Sequence, residues 1–256
     1  AVHASVGRLT PPSRHVRSEV AIVAGLAQQV FARDRFAAGA PRVDVFAEVH
    51  GRTAEVFVRE GARVAIGARR VERLQALADE IGGTAMPLDV TDADSCEAFC
   101  AAVPRLHVLV NNAGGAKGTT SVMDADEDQW RWMWETNVLG TLRVTKALLP
   151  ALEASGDGLI VTITSTAALE VYDNGAGYTS AKHAEGVLHR TLRFELLGKP
   201  IRLTEICPGM VETDFSLVRF GGDKDRADAV YSGVTPLTAG DIAEVEQLLQ
   251  ISADWF

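Results

Sequence analysis

From Arg63 onward, short apolar runs alternate with stretches in which apolar residues recur every three or four positions. Arg63-Val64-Ala65-Ile66-Gly67 has the length and β-branched content of a buried strand. Val71 to Ile81 carries Leu74, Leu77, Ala78 and Ile81 at helical spacing and is stopped by Gly82-Gly83. A strand over Thr84 to Leu88 delivers Asp89-Val90, a helix is predicted near Asp92 to Val103, and His107-Val108-Leu109-Val110 reads as the next strand. A helical stretch runs from Trp130 to Leu149, and strands follow at Leu159 to Thr164 and Ile201 to Ile206. Strands alternating with helices predict an α/β fold, a doubly wound parallel sheet with helices on both faces. Trp130, Trp132 and Trp134 stand two apart and cannot share one helix face, which places at least one at a subunit contact.

The ends are less regular. Ala1 to Ser18, with Pro11-Pro12, has no period and reads as a loose segment. Glu19 to Gly25 reads as the first buried strand, so one domain is expected over 19–256. Leu26 to His50 lacks the period of a packed element and is read as an atypical insertion at 26–50. The chain starts at Ala1 without methionine, which suits a fragment or a processed protein.

Composition narrows the function. With 256 residues and 47% hydrophobic content the chain suits a single domain, and a net charge of −9 argues against nucleic acid or an anionic membrane as partner. No apolar run reaches the roughly 18 residues of a membrane span. Three cysteines, Cys96, Cys100 and Cys207, suit a reducing, cytoplasmic setting, and none stands at metal-ligand spacing with a histidine, so no metal site is expected.

The chemistry centres on Tyr178 and Lys182, four residues apart and hence on one face of a helix. A lysine ammonium near a phenol favours the phenolate, which lowers the tyrosine pKa from about 10 toward neutrality and makes Tyr178 a candidate proton donor. Ser165 ends the strand that precedes them, where parallel sheets place their ligands.

Taken together, Asn111-Asn112-Ala113-Gly114, Asn137, Ser165, Tyr178-x-x-x-Lys182 and Pro208-Gly209-x-x-x-Thr213 resemble the short-chain dehydrogenase/reductase family, over about Glu55 to Glu244. The resemblance implies a Rossmann-like fold and a catalytic set of Asn137, Ser165, Tyr178 and Lys182. It also implies that Lys182 binds the nicotinamide ribose, Thr213 the carboxamide, and that Pro208-Gly209 shape the turn beneath the ring. Asp89 and Val90 would hold the adenine, and Asn111, Ala113 and Gly114 would run along the adenosine-side ribose and phosphates. Asn137 would link Lys182 to solvent through its backbone carbonyl and a water. Ala68 stands where NAD-using relatives carry an acid, and Arg69 and Arg70 follow, so NADP is expected ahead of NAD.

Phe215 to Asp223 resembles the branch acting with NADP on 3-hydroxy acids, serine included, with Arg219 as a carboxylate clamp beside Ser165. A homodimer or homotetramer acting on a small molecule follows from the same resemblance. The family's glycine-rich phosphate turn is absent: Gly25 and Gly51 are the candidates for its two edges, and NADPH is expected to bind weakly. Two accounts of Leu26 to His50 stay open, an insertion replacing that turn or a stretch translated out of frame. Two rival functions stay open beside the enzyme: a damaged copy that keeps the catalytic residues, and an assembly scaffold. Pro236 to Glu244 resembles the family's late helix, with Asp241 near its cap, and no final strand is expected after it.

Overall fold

Runs rich in valine and isoleucine build one six-stranded sheet in the computed structural model, which describes residues 44–48, 51–59 and 62–243. The elements framing it are β1 (Asp44–Glu48), α1 (Gly51–Arg59), β2 (Arg63–Ala68), α2 (Val71–Ile81), β3 (Thr84–Pro87), α3 (Ala93–Ala101) and β4 (Val108–Asn111), then α4 (Glu127–Trp134), α5 (Thr141–Ser155), β5 (Gly158–Ile163), α6 (Ala176–Glu195) and β6 (Ile201–Ile206). The strand order is β3-β2-β1-β4-β5-β6 and every pairing is parallel. Because the winding reverses between β1 and β4, a crevice opens there at the carboxyl ends of the strands, the position at which such sheets bind ligands.

Period-two alternation explains why both faces are covered. Val108, Val110, Leu159 and Val161 join Phe57, Ile66 and Leu74 on one face, while Leu109 and Ile160 join Phe99, Leu106, Leu148 and Leu152 on the other. Each such fully buried aliphatic side chain stabilises the fold by about 1.5–3 kcal/mol. Cys96 and Cys100 pack within the second cluster as part of the core.

Local chemistry fixes the element ends. Gly82 takes φ 74° and ends α2, a left-handed conformation that glycine adopts without strain. The Asp92 side chain accepts from the N–H groups of Asp94 and Ser95 and starts α3. Between α4 and α5 the helix continues through a π-helical turn, Glu135–Gly140, which contains Asn137. Beyond β6, β7 (Val211–Glu212), α7 (Phe215–Arg219), α8 (Lys224–Ala229) and β8 (Leu237–Thr238) form a small flap, with β7 and β8 paired in parallel. Thr238 and Asp241 exchange side-chain-to-backbone hydrogen bonds at the start of the late helix, a reciprocal cap at the expected place.

One expectation is corrected. The slot between β2 and β4 is filled by Asp44–Glu48, inside the stretch read as having no packed element, with Val45, Phe46 and Ala47 opposite Val64, Ala65 and Ile66. Val45-Phe46-Ala47 is a short apolar run flanked by acids, too brief for a period to show yet long enough to pair on both sides. Residues 1–18, Glu19 to Gly25 and 244–256 lie outside the described residues. Among the described residues no strand pairs with the outer edge of β6, and no helix is long and apolar enough to cross a membrane. Within the Trp130, Trp132 and Trp134 trio, Trp134 is exposed, while Trp130 and Trp132 are half-buried.

Candidate active site

The carboxyl ends of β4, β5 and β6 converge with α6 on one cleft of about 550 Å³. Gly114 follows β4, Ser165 follows β5, Pro208 and Gly209 follow β6, and α6 brings Tyr178 and Lys182 across them. Thr213 and Arg219 enter from the flap, and Thr53, in the first turn of α1, lines the opposite wall. The turns after β5 and β6 are tied together by the Thr166 N–H, which donates to the Pro208 carbonyl at 2.9 Å.

Small residues let α6 approach closely. A Cβ on Gly177 would lie 2.5 Å from the terminal methyl of Met133 and 3.0 Å from Trp130 Nε1, so glycine lets α6 pack closely on α4 next to Tyr178. Tyr178 is buried, its ring 5.7 Å from that of Phe215. The buried Lys182 Nζ donates to the Ile163 carbonyl at 3.1 Å and to Glu185 Oε2 at 2.6 Å. Ser165 Oγ accepts from the Ala167 N–H at 3.1 Å.

The electrostatics depart from the expected picture. Burial pushes the Tyr178 phenol above its ordinary value; the Lys182 charge and a hydrogen bond with Ser165 pull it down, while Glu185 pushes it up. The expected fall toward neutrality is not reached, because burial of the phenol, with the Glu185 charge added to it, outweighs the pull of the lysine. Burial penalises the Lys182 ammonium, but the charges of Glu185 and Tyr178 and the hydrogen bond to Glu185 together outweigh this and hold its pKa above the usual value.

Asn137 stands behind the cleft, fully buried. Its side chain clamps Gly115 by accepting from the N–H at 3.1 Å and donating to the carbonyl at 2.9 Å. Its backbone carbonyl accepts from Thr141 Oγ1 at 3.0 Å. Gly114 has to be glycine here: a Cβ would lie 2.7 Å from Asn137 Oδ1 and 3.3 Å from Lys182 Nζ. The turn after β4 is thereby held against both residues.

A second group gathers where β2 and β3 end, across the sheet reversal. Arg69 and Arg70 are exposed there, and Asp89 accepts from Thr91 N and Oγ1 at 3.0 and 2.7 Å. Burial would raise the Asp89 carboxyl, but the Thr91 hydrogen bonds and the Arg69 charge hold it below its usual value. Val90 is buried, with its carbonyl accepting from Arg143. The Asn111 expectation is corrected: its side chain is enclosed at 1% exposure and donates to Thr145 Oγ1 at 2.8 Å, so it braces β4 against α5 instead of lining the cleft. Ala113 packs against the core cluster behind that turn.

Arg219 reaches over the cleft, its guanidinium 5.7 Å from the rings of both Tyr172 and Tyr178. Nε donates to the Gly118 carbonyl at 2.9 Å and one terminal nitrogen to the Tyr172 hydroxyl at 3.0 Å. Sequence reasoning missed Glu185 and Thr141. Tyr178, Lys182, Glu185 and His189 form one helical stripe, and the structure buries all of it.

The donor set suits a nicotinamide dinucleotide. Gly114 and Gly115 line the cleft with no side chain, Lys182 and Thr213 offer polar groups to it, and Arg69 and Arg70 are exposed where β2 ends. The helix α1 turns its N-terminus toward the cleft at Thr53, as anion sites require. Residues 49–50, which join β1 to α1, and Gly25 lie outside the described residues, as does the expectation about the phosphate turn.

The comparisons agree with this arrangement. The chain matches the family model described as short chain dehydrogenase over residues 51–219. It is 67% identical over 193 residues to an uncharacterized oxidoreductase of Mycobacterium tuberculosis, covering 75% of this chain and 77% of that protein. It is 42% identical over 197 residues to serine 3-dehydrogenase of Agrobacterium fabrum, covering 75% and 79%. Among solved structures, the closed form of serine dehydrogenase complexed with NADP+ has a TM-score of 0.78 at 33% identity, covering 81% of this chain and 89% of that one.

Proposed function

The chain belongs to the short-chain dehydrogenase/reductase family, and from that premise we propose that it exchanges hydride between NADP and a secondary alcohol or its ketone, with 3-hydroxy acids as the substrate class. The observation that carries this reading is the placement of Tyr178 and Lys182 on one buried helix face beside Ser165, at the carboxyl ends of β5 and β6. When bound, the nicotinamide supplies or accepts the hydride.

The protein's residues handle the proton and the oxygen. In reduction, the Tyr178 hydroxyl donates its proton to the substrate oxygen while Ser165 hydrogen-bonds the same atom. The carbonyl becomes an alcohol, and the tyrosinate left behind is stabilised by the Lys182 ammonium. In oxidation the tyrosinate takes the alcohol proton back. Burial makes the Lys182 charge felt strongly at the phenol, since little water screens it.

Two further features support the cofactor and substrate class. Arg69 and Arg70 offer exposed guanidinium groups at the end of β2, where Ala68 leaves no acid to repel a 2′-phosphate. The Arg219 guanidinium beside Tyr178 favours a substrate whose carboxylate lies near the carbon to be oxidised, as in a 3-hydroxy acid.

A thermal-shift comparison tests the cofactor assignment. NADPH at about 100 times its dissociation constant should stabilise the protein by about 2.7 kcal/mol, and NADH at the same concentration should raise the Tm less. An equal or larger shift with NADH overturns the NADP assignment, and no shift with either at millimolar concentration overturns the enzyme reading.

A further inference from the structure

Next to the catalytic pair lies a carboxylate that proton donation by Tyr178 does not itself require. Glu185 sits on the same stripe of α6 and is 1% exposed. Its Oε2 accepts from Lys182 Nζ at 2.6 Å, and its Oε1 lies 3.1 Å from Thr141 Oγ1. Thr141 Oγ1 is in turn 3.0 Å from the Asn137 carbonyl. Lys182, Glu185, Thr141 and Asn137 thus form an unbroken polar chain made of protein atoms alone. A buried ion pair is weak ground for stability, which leaves this one to be explained by what it does to the lysine.

We propose that Glu185 is a positioning residue of this site: its carboxylate fixes the charge and direction of the Lys182 ammonium, and through Lys182 it governs how readily Tyr178 releases its proton. The inference rests on the reading of Tyr178 as proton donor. An ammonium has three N–H groups. Ile163 and Glu185 take two of them, so the third is left for the cleft. The carboxylate also keeps the buried lysine charged while cancelling part of its field at the phenol.

The groups around the pair are consistent with that division. Glu205 of β6 is the other acid near Glu185, and it is engaged by Thr164 Oγ1 at 3.0 Å and by Arg190 at 3.3 Å. Cys207, in the turn after β6, lies 3.2 Å by its Sγ from Thr164 Oγ1 and has a minor electrostatic influence on Lys182. His189, one turn further along α6, is turned to Thr162. Glu185 is therefore the acid that pairs with Lys182.

The test uses the protein without substrate or cofactor, so its outcome does not depend on turnover. The chain has three tyrosines and five lysines, few enough for carbon-13 labels at tyrosine Cζ and lysine Cε to be resolved and assigned with a Tyr178→Phe control. Glu185→Gln keeps the size and removes the charge. Loss of a negative charge lowers proton affinity nearby, so the first proton should leave the Tyr178–Lys182 pair about one pH unit or more lower, whichever residue gives it up. Glu185→Asp should return the titration toward wild type. Wild-type titration in Glu185→Gln, or an equal shift in Glu185→Asp, overturns the proposal.

If the Gln variant does not fold, the wild type decides alone. Lys182 must stay charged at least as high as an ordinary lysine, at about 10.4, and a Lys182 that titrates below it overturns the proposal. With NADP+ and a 3-hydroxy acid, the acid limb of the rate profile should move with the variant, whereas mere structural damage lowers the rate at every pH. Failure to turn over leaves the carbon-13 result standing and counts against the enzyme reading only.

Discussion

Arg69 owes its meaning to where β2 ends. It is exposed, stands one residue past Ala68, and its charge reaches Asp89 across the gap between β2 and β3. A guanidinium in that place discriminates by the 2′-phosphate alone. Arg69→Ala should therefore weaken NADPH by roughly ten- to a hundredfold, equivalent to about 1.5–3 kcal/mol for a charge-assisted contact, and leave NADH nearly unchanged. Fluorescence titration of both cofactors measures this, and equal losses contradict the assignment. Tyr178, Lys182 and Ser165 were legible because their spacing and strand-end position are local facts. Glu185 was not, because a Lys-x-x-Glu pair normally marks a solvated helix face. Its burial depends on α6 lying against β5 and α5, a non-local outcome that spacing alone does not encode.

Among the elements, α6 carries the most consequence. The stripe that presents Tyr178 and Lys182 to the cleft continues to His189, which is buried and hydrogen-bonded to Thr162 of β5 at 2.9 Å. Burial, with Arg190 and Arg193 nearby, lowers the His189 pKa from 6.5 to about 4. A histidine depressed in the folded state binds its proton more readily when unfolded, so its contribution is intact above pH 6.5 and is lost as the pH falls toward 4. The loss amounts to about 3 kcal/mol. Urea unfolding of wild type and His189→Gln should show their stability gap narrowing by about that amount between pH 7 and 4, and a constant gap contradicts a buried neutral His189. Elements such as α2, closed by Gly82, and β6 were readable because period and punctuation agree over their whole length. β1 was not, since Val45-Phe46-Ala47 competes with the longer apolar run at Val20 to Ala24 and becomes a strand only by pairing with two neighbours.

At the scale of the whole molecule, the strand order decides where chemistry can occur. Reversal between β1 and β4 sets the basic end of β2 on one side of the crevice and Gly114, Ser165 and Pro208 on the other, so a dinucleotide laid across it would bring its nicotinamide to Tyr178. A net charge of −9 makes the paired arginines at that end a local exception to an acidic chain. The central claim is that Tyr178 passes a proton to or from a substrate oxygen while hydride moves to or from NADP. It is tested by following NADP+ reduction with a 3-hydroxy acid such as serine or 3-hydroxybutyrate, at millimolar cofactor, in wild type and in Tyr178→Phe. Steady reduction is predicted for the wild type and a rate lower by about 10²-fold or more for the variant, since only the proton-transfer group is lost. Equal rates in the two proteins, or no reduction by a wild type that binds NADPH, would contradict it.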